Sequence, residues 1–224
     1  RLEQVRKDFV ANVSHELKTP IAVARINLET LLKHQLDPEK QHKLIRMTLS
    51  ETSRLTNLTN NILIASQLEG GRYNFTQEEI ELTDLAQDSI VGFRNRYPDR
   101  EFAAELEPEV DIKGDPLLLQ ILVSNLVENA IKYSPRESPI RVRLYREDGL
   151  TKLEVQDLGP GIPDEEKGRI FDKFYRIGNE NTRKSQGTGL GLYLCTKIAH
   201  DHNADISVTN NKPHGSIFAV SFHQ

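Results

Sequence analysis

The chain has 224 residues, enough for two modest domains that each bury a hydrophobic core. Its 37% hydrophobic and 28% charged residues are typical of a soluble protein, and a net charge of −4 with well-mixed Lys and Arg excludes the basic footprint of a nucleic-acid-binding protein. The single cysteine, Cys195, excludes an internal disulfide framework and fits a reducing compartment. No run of 18 apolar residues is present and no signal peptide opens the chain, so we expect a soluble piece of a longer protein.

The first predicted element is a long helix over residues 1–34. Apolar residues recur along it at spacings of three and four, which predicts one buried stripe. The stripe comprises Leu2, Val5, Phe9, Val13, Leu17, Ile21, Ala24, Leu28 and Leu31.

His15 lies two residues from stripe members on either side, so at about 100° per residue it faces away from the stripe. Thr19 is four residues further on and shares its face. Pro20 removes a helical hydrogen bond and should kink the helix just below His15. This pattern predicts an exposed nucleophile with a carboxylate, Glu16, beside it. A solvated surface histidine is the simpler interpretation if the segment is taken alone.

A second helix follows a short turn and runs to about Glu69. Asp37 is the predicted N-cap, Pro38 takes the first helical position, and 70–71, a pair of glycines, ends the helix. Its apolar positions also form a stripe: Ile45, Leu49, Thr52, Leu55, Leu58, Ile62 and Ala65. A lone hairpin cannot cover two such stripes, so we predict a homodimer in which two hairpins form a four-helix bundle.

The remaining chain has an α/β pattern. We predict domains at 1–70 and 80–224 with a linker at 71–79. The expected helices are 83–96, 115–133, a short one at 164–171, and 190–202; the expected strands are 102–106, 110–112, 140–145, 153–156, 205–209 and 216–222. Residues 176–188 lack periodicity and are predicted to be a mobile loop.

A continuous polar face is predicted within the helix that starts near residue 115. Asn125, Glu128, Asn129 and Lys132 occupy positions i, i+3, i+4 and i+7. Amide oxygens suit a hard cation near phosphates, Lys132 can offset phosphate charge, and Tyr133 adds an aromatic surface. An ordinary solvated face is the alternative, although stacked asparagines are poor helix formers.

Two glycine-rich segments follow, at 157–163 and 187–192. In the first, the Asp157 carboxylate can accept a hydrogen bond from an exocyclic amine such as that of adenine, and Gly159 and Gly161 let the backbone approach a flat ring. The second leads into a helix whose free N–H groups and dipole suit phosphates. The first segment taken alone also fits a tight Gly-Pro turn, and the second matches neither a dinucleotide fingerprint nor a P-loop, so each alone is weak evidence.

The chain resembles the cytoplasmic catalytic core of a bacterial two-component sensor histidine kinase over nearly its whole length. The matching motifs are the phosphoacceptor motif His15–Pro20, the N box Asn125–Tyr133, the first glycine box Asp157–Gly161, the F box Ile170–Arg176 and the second glycine box Gly187–Leu192. The resemblance implies an α+β protein in which a HisKA-type dimerisation hairpin precedes a Bergerat-type α/β sandwich that binds ATP and Mg²⁺. It also implies that the loop between the glycine boxes acts as a lid.

The resemblance implies a role for each matching residue. His15 would accept the γ-phosphoryl group and pass it to an aspartate of a response regulator, with Glu16 as the base. Asn129, together with Asn125, would hold Mg²⁺. The implied ATP-binding residues are Asn125, Asn129, Lys132, Tyr133, Asp157, Gly159, Gly161, Ile162, Phe174, Arg176, Gly187, Thr188, Gly189, Leu190, Gly191 and Leu192.

Thr19 suggests an additional phosphatase activity, because its hydroxyl can orient water against the partner's aspartyl phosphate; alternatively it only satisfies backbone before the proline. Ala22 and Ile26, below His15 on its face, form a small apolar patch suited to a regulator. We expect a cytoplasmic protein, the cytosolic portion of an inner-membrane sensor, whose membrane contact lies in segments absent from this chain.

One departure from the family pattern is 202–204, His-Asn-Ala, where a His-Gly-Gly turn is common; Asn203 tolerates the left-handed conformation, so a turn is still expected. His200 and His202 are interpreted as surface residues, and Cys195 as a small packing residue. Two other functions remain open: an ATPase of the gyrase- or chaperone-like kind, which leaves the His15 helix unexplained, and a non-enzymatic dimeric scaffold.

Overall fold

The computed structural model describes the backbone of residues 2–178 and 187–223, and side chains from residue 10 onwards. It begins with two helices, α1 (Leu2–Lys33) and α2 (Pro38–Glu69), which pack side by side as a hairpin. α1 continues through Pro20. The predicted N-cap of α2 is confirmed, because the Asp37 side chain accepts a hydrogen bond from the Lys40 N–H at 2.9 Å.

The apolar stripes of this hairpin are only partly buried within a single chain. Ile64 and Ala65, near the end of α2, are buried against the α/β part of the chain. By contrast, Leu49 is 62% exposed, Ile21 53% and Leu28 50%. Of the thirteen stripe residues whose side chains the structure describes, five are therefore exposed in one copy: Ile21, Leu28, Ile45, Leu49 and Thr52.

The α/β part contains three further helices and seven strands among the described residues. In chain order they are β1 (Glu78–Glu81), α3 (Leu82–Arg96), β2 (Phe102–Leu106), β3 (Asp111–Gly114), α4 (Pro116–Tyr133), β4 (Ile140–Glu147), β5 (Leu150–Gln156), α5 (Gly191–Asp201), β6 (Ala204–Asn210) and β7 (Ser216–His223). β1 was not predicted, and it begins within the segment that the sequence indicates as linker.

These elements form two layers. The main sheet has the order β2-β4-β5-β7-β6, in which β2 and β4 run parallel and the other pairs antiparallel, while β1 and β3 form a separate antiparallel pair. Alternate residues of β4, β5 and β7 are buried, as expected when helices cover one face only. α3, α4 and α5 supply that cover, with Leu122 and Ile198 fully buried between the layers. This confirms the predicted α/β sandwich that follows a helical part.

The predicted short helix at 164–171 is wrong. The chain forms successive turns there, with i→i+3 hydrogen bonds such as Glu166 N–H to the Pro163 carbonyl and Arg169 N–H to the Glu166 carbonyl. Gly168 weakens a helix within this segment, which explains why no regular helix forms. No helix among residues 2–178 and 187–223 has the length and hydropathy required to cross a membrane.

The segment between α2 and β1 is fastened to the N-terminus of α4. The Asp115 carboxylate accepts hydrogen bonds from the Tyr73 hydroxyl at 3.1 Å and from the Thr76 hydroxyl and N–H at 2.9 and 3.1 Å. Burial raises the pKa of Asp115, but these bonds outweigh burial and hold the pKa of the carboxyl below its ordinary value. Phe75 lies edge-on to the His202 ring, with the ring centroids 5.0 Å apart.

The interpretation of His202 as a surface residue is also wrong. Its ring is buried where α5 ends, since Nε2 accepts the Asp115 N–H at 2.9 Å and Nδ1 donates to the Ile198 carbonyl at 2.7 Å. Burial lowers the pKa of His202 and favours the neutral ring that this pair of bonds requires. The next residue, Asn203, has φ of 51°, which confirms the left-handed turn.

Candidate functional site

His15 lies near the middle of α1 with an exposed side chain, as its position relative to the apolar stripe predicts. Thr19 is one turn further along, and its hydroxyl donates to the His15 carbonyl at 3.1 Å. In this arrangement the Thr19 hydroxyl satisfies the helix backbone, which is the simpler of the two interpretations of that residue.

Glu16, in contrast to its neighbour, is buried, with 6% of its surface exposed. One carboxylate oxygen, Oε2, accepts a hydrogen bond from Arg54 Nη2 of α2 at 2.9 Å. The other, Oε1, accepts the backbone N–H of Gly187 at 2.7 Å. Within the described residues neither oxygen is hydrogen-bonded to the His15 ring, so Glu16 instead connects α1 to the second glycine-rich segment.

A large cavity of about 930 Å³ lies between α2, α4 and the glycine-rich segments. This volume is at the upper end of the range for small-molecule sites. The predicted binding residues that line it are Asn125, Asn129, Lys132, Tyr133, Asp157, Gly161, Ile162, Arg176, Gly187, Thr188, Gly189, Gly191 and Leu192. Glu16 and Arg54 line the same cavity from the helical hairpin.

Asp157 supplies a buried carboxylate at the end of β5. Its Oδ1 accepts the N–H groups of Gly159 at 2.7 Å and Ser216 at 3.4 Å. Burial raises the pKa of Asp157 above the ordinary value of an aspartate, although these hydrogen bonds and the charge of Arg100 oppose that shift. A buried acceptor held in this way suits an amine donor on a flat ring.

The amide side chains of α4 face the cavity, where the sequence predicted a polar face. Asn125 is buried, and its Oδ1 accepts a hydrogen bond from Asn61 Nδ2 of α2 at 2.9 Å, while its own Nδ2 has no hydrogen-bond partner within the described chain. Asn129 and Lys132 follow on the same side of the helix and line the cavity. A buried amide whose N–H groups have no partner in the described chain is suited to an additional polar ligand.

The glycines bring backbone close to the cavity at two points. Gly189 has φ of +72°, and a Cβ there would lie 2.6 Å from the Phe174 carbonyl carbon. A Cβ on Gly159 would lie 2.6 Å from the Tyr133 carbonyl oxygen. Both positions therefore require glycine. Of the predicted lid, 176–188, residues 179–186 lie outside the described residues.

α2 makes further side-chain hydrogen bonds to the α/β part beyond the Asn61–Asn125 pair. Asn57 Nδ2 donates to Glu128 Oε1 at 2.7 Å. Towards the end of α2, Glu69 accepts from the Tyr193 hydroxyl at 2.7 Å and lies 2.6 Å from Lys173 Nζ. Burial opposes the ionisation of Glu69, but these two donors outweigh burial and hold the pKa of its carboxyl below the ordinary value.

Comparison with known proteins matches both parts of the chain to family models. The model for the His Kinase A (phospho-acceptor) domain covers residues 5–71, and that for the histidine kinase-, DNA gyrase B- and HSP90-like ATPases covers residues 114–224. A solved mycobacterial sensor histidine kinase, MprB, is 30% identical with a TM-score of 0.58, over 66% of this chain and 97% of that one. The chain belongs to the sensor histidine kinases. Both halves of this family's catalytic core are present.

Longer sensor histidine kinases are also similar to this chain over nearly its whole length. The phosphate regulon sensor protein PhoR of Pseudomonas aeruginosa is 34% identical over 99% of this chain and 51% of its own length. SenX3 of Mycobacterium tuberculosis is 33% identical over 99% of this chain and 54% of its own length. The chain thus spans about half the length of these curated relatives. A complex of histidine kinase ThkA with response regulator protein TrrA is 26% identical with a TM-score of 0.64, over 96% of this chain and 60% of that one.

Three of the implied binding residues of this histidine kinase core lie outside the cavity wall. Gly159 forms the turn that Asp157 closes, Phe174 donates its N–H to the Gly189 carbonyl at 3.0 Å, and Leu190 is buried at 1% exposure. These residues support the cavity from behind. Lining residues that the sequence did not indicate include Arg96, Tyr97, Ser216 and Phe218 in the α/β part and Ser50, Glu51, Arg54, Asn57, Leu58 and Asn61 on α2.

Proposed function

We propose that the chain binds ATP in the large cavity, phosphorylates His15 and passes the phosphoryl group to an aspartate of a response regulator. The observation that carries this proposal is the composition of a single cavity. It joins a buried carboxylate, Asp157, and the amides of α4 to glycine-rich backbone, and it ends at Glu16, next to His15 in sequence. The ATPase family model over residues 114–224 supports ATP as the ligand.

In the proposed reaction an unprotonated ring nitrogen of His15 attacks the γ-phosphorus of ATP. The nitrogen lone pair forms the N–P bond, while the bond from phosphorus to the bridging oxygen breaks and ADP leaves with that electron pair. The proton on the other ring nitrogen passes to a base. We assign this base to Glu16, which must first release Arg54 or Gly187. Phosphoryl transfer depends mainly on positioning and charge neutralisation.

The chain's own side chains supply much of that neutralisation. Asp157 would accept the exocyclic amine of adenine, and Lys132, Arg176 and the N–H groups at the start of α5 would contact the phosphates. The donor set also fits Mg²⁺, because this ion keeps several waters and takes only one or two protein oxygens beside phosphate. Asn129 and Asn125 would hold it, and when bound it would neutralise phosphate charge.

The test is incubation of the full chain with γ-labelled Mg-ATP. We expect an acid-labile, base-stable phosphate that disappears in His15→Gln, while nucleotide affinity stays unchanged in that variant. ATP hydrolysis without stable protein phosphate would instead favour an ATPase of the gyrase-like kind. Tight binding without any turnover would favour a non-enzymatic scaffold.

A further proposed activity is dephosphorylation of the regulator, with the Thr19 hydroxyl orienting the attacking water. It requires Thr19 to leave the His15 carbonyl that it now contacts. Thr19→Arg should abolish release of phosphate from a phosphorylated regulator and preserve the labelling of His15. Equal loss of both activities would contradict this role. The matched control is Thr30→Arg, because Thr30 makes the same i−4 bond, to Ile26, further along α1.

The proposed active form is a cytoplasmic homodimer. The exposed stripe residues Leu49, Ile21 and Leu28 support a second copy as the cover, because both helices present them along the length of the hairpin. A cytoplasmic location is supported by the use of ATP and by the free thiol of Cys195. Sedimentation should give a dimer for the native chain and a smaller species for Leu49→Glu.

A further inference from the structure

One side of the large cavity is formed by α1 and α2 of the same chain. Glu16 and Arg54, one from each helix of the hairpin, share its wall with Asp157 and Lys132. His15, the proposed acceptor, does not line the cavity, but it precedes Glu16 on the same helix. From this geometry we infer that each chain phosphorylates its own His15 rather than the His15 of the other chain in a dimer. This inference rests on the proposed function.

The most direct contact is between Glu16 and Gly187. The Gly187 N–H belongs to the segment proposed to hold the phosphates, and it donates to a carboxylate of the acceptor helix at 2.7 Å. A hydrogen bond to an ionised acceptor is stronger than a neutral one. It therefore fixes which α1 lies at the phosphate end of the cavity, and that α1 is in the same chain.

Charge at this contact is balanced within the same chain. A carboxylate beside phosphates would repel them, but Arg54 lies 2.9 Å from Glu16 and its side chain is 38% exposed, on the wall of the cavity. Lys132 adds a second cation near the same contact, because its Nζ would lie 2.5 Å from a Cβ at Gly187. No group from another chain is needed to bring γ-phosphate towards this end of the cavity.

Two further contacts hold the same helices in register with the cavity. Asn57 donates to Glu128 and Asn61 donates to Asn125. The two donors lie four residues apart on α2 and the two acceptors three apart on α4, so each pair shares one face of its helix. Nearer the end of α2, Glu69 is held by Lys173 and Tyr193. These contacts hold α2 of the same chain against the cavity, next to the α1 that carries Glu16.

The first test uses dimers with one defective subunit of each kind. His15→Gln leaves a cavity without an acceptor, and Asn129→Asp leaves an acceptor without a functional cavity. The two chains carry different tags, and the mixed dimer is isolated by tandem purification. With labelled Mg-ATP we expect labelling of the native dimer and a complete loss in the mixed dimer. Labelling of the Asn129→Asp chain in the mixed dimer would overturn the inference.

If tandem purification yields no mixed dimer, the concentration dependence decides. On dilution below the concentration at which the native dimer dissociates, a labelling rate per chain that persists in the monomer supports transfer within one chain, and a rate that falls in proportion to the fraction of dimer overturns it. An unlabelled native chain would contradict the proposed function itself. A labelled native chain with a labelled mixed dimer would contradict only the inference.

The second test does not depend on catalysis. Asn57→Cys and Glu128→Cys are combined and treated with a short bismaleimide, with each single variant as a control. The native Cys195 is fully buried, and burial raises its pKa, so it remains unreactive. We expect a linked product that migrates as a monomer under denaturing conditions. A covalent dimer formed only by the double variant, or no linkage at all, would overturn the inference.

Discussion

Gly189 provides a sharp test of the second glycine-rich segment. Its φ of +72° is a conformation in which an L-residue other than glycine is disfavoured by about 1–2 kcal/mol. In addition, the Cβ of Gly189→Ala would lie 2.6 Å from the Phe174 carbonyl carbon, which is about 1 Å inside ordinary van der Waals contact. Moving Phe174 away would break its 3.0 Å hydrogen bond to the Gly189 carbonyl, which contributes about 1 kcal/mol.

The total expected loss for Gly189→Ala is about 2–3 kcal/mol. If the segment relaxes in the free protein, the loss is observed in nucleotide affinity, which should fall about 30- to 140-fold. If the segment keeps its native form, the loss is observed in unfolding, as a decrease of about 5–10 °C in Tm. Calorimetric titration with ADP and thermal unfolding therefore measure the two parts of one quantity.

The matched control is Gly92→Ala in α3. A Cβ at this exposed helical position meets nothing within 4 Å, so alanine should stabilise the protein by about 0.5–1 kcal/mol and leave nucleotide affinity unchanged. The losses in binding and in unfolding free energy are added for Gly189→Ala. A sum below about 0.5 kcal/mol, which ordinary surface substitutions also reach, would refute the steric reasoning.

The other predictions concern pH. Because burial raises the pKa of Asp157, affinity for ADP should weaken as the pH falls, beginning above the range in which an ordinary aspartate with pKa 3.8 is protonated. Asp157→Asn should lose about 10- to 150-fold in affinity at pH 7, and its affinity should not weaken further as the pH falls. An equal decrease in affinity at low pH in both proteins would exclude Asp157 as the group responsible. His202 has a lowered pKa in the folded state, so the stability that its neutral ring provides is present above pH 6.5 and is lost as the pH falls below that value. The unfolding free energy of the native chain should therefore fall more steeply below pH 6.5 than that of His202→Gln, by up to about 1.4 kcal/mol per pH unit in urea titrations. Parallel curves would contradict the buried neutral ring.

Local features of the structure were predictable because short-range physics determines them. The cap at Asp37 follows from a carboxylate three residues before a free N–H, and its bond to Lys40 forms. Asp115, which the sequence places at the start of a helix, caps α4 in the same way through Leu118. The outward position of His15 follows from helical periodicity alone. The strands of the main sheet were likewise indicated by their alternating pattern.

Apart from the helix expected over 164–171, the errors and omissions have a common physical cause, namely contacts between residues distant in sequence. His202 is polar and ends a helix, so its sequence position indicates the surface, whereas its burial depends on the N-terminus of α4, 87 residues away. Glu16 and Gly187 are 171 residues apart. Likewise, nothing in the pattern of α2 distinguishes Arg54 or Asn57 from ordinary exposed residues, and only the docked helices give them partners.

The connection to Asp115 has a mechanical consequence. The Arg72 N–H still bonds the Gln67 carbonyl at the end of α2, and the Thr76 N–H is already fastened to Asp115. Between these two anchors lie four residue steps, a span of at most about 14 Å, whereas an unattached segment of nine residues would reach about 30 Å. The segment 72–76 is therefore a short connection and not a flexible linker. We expect a rotation of α2 about its axis to move the start of α4 with it.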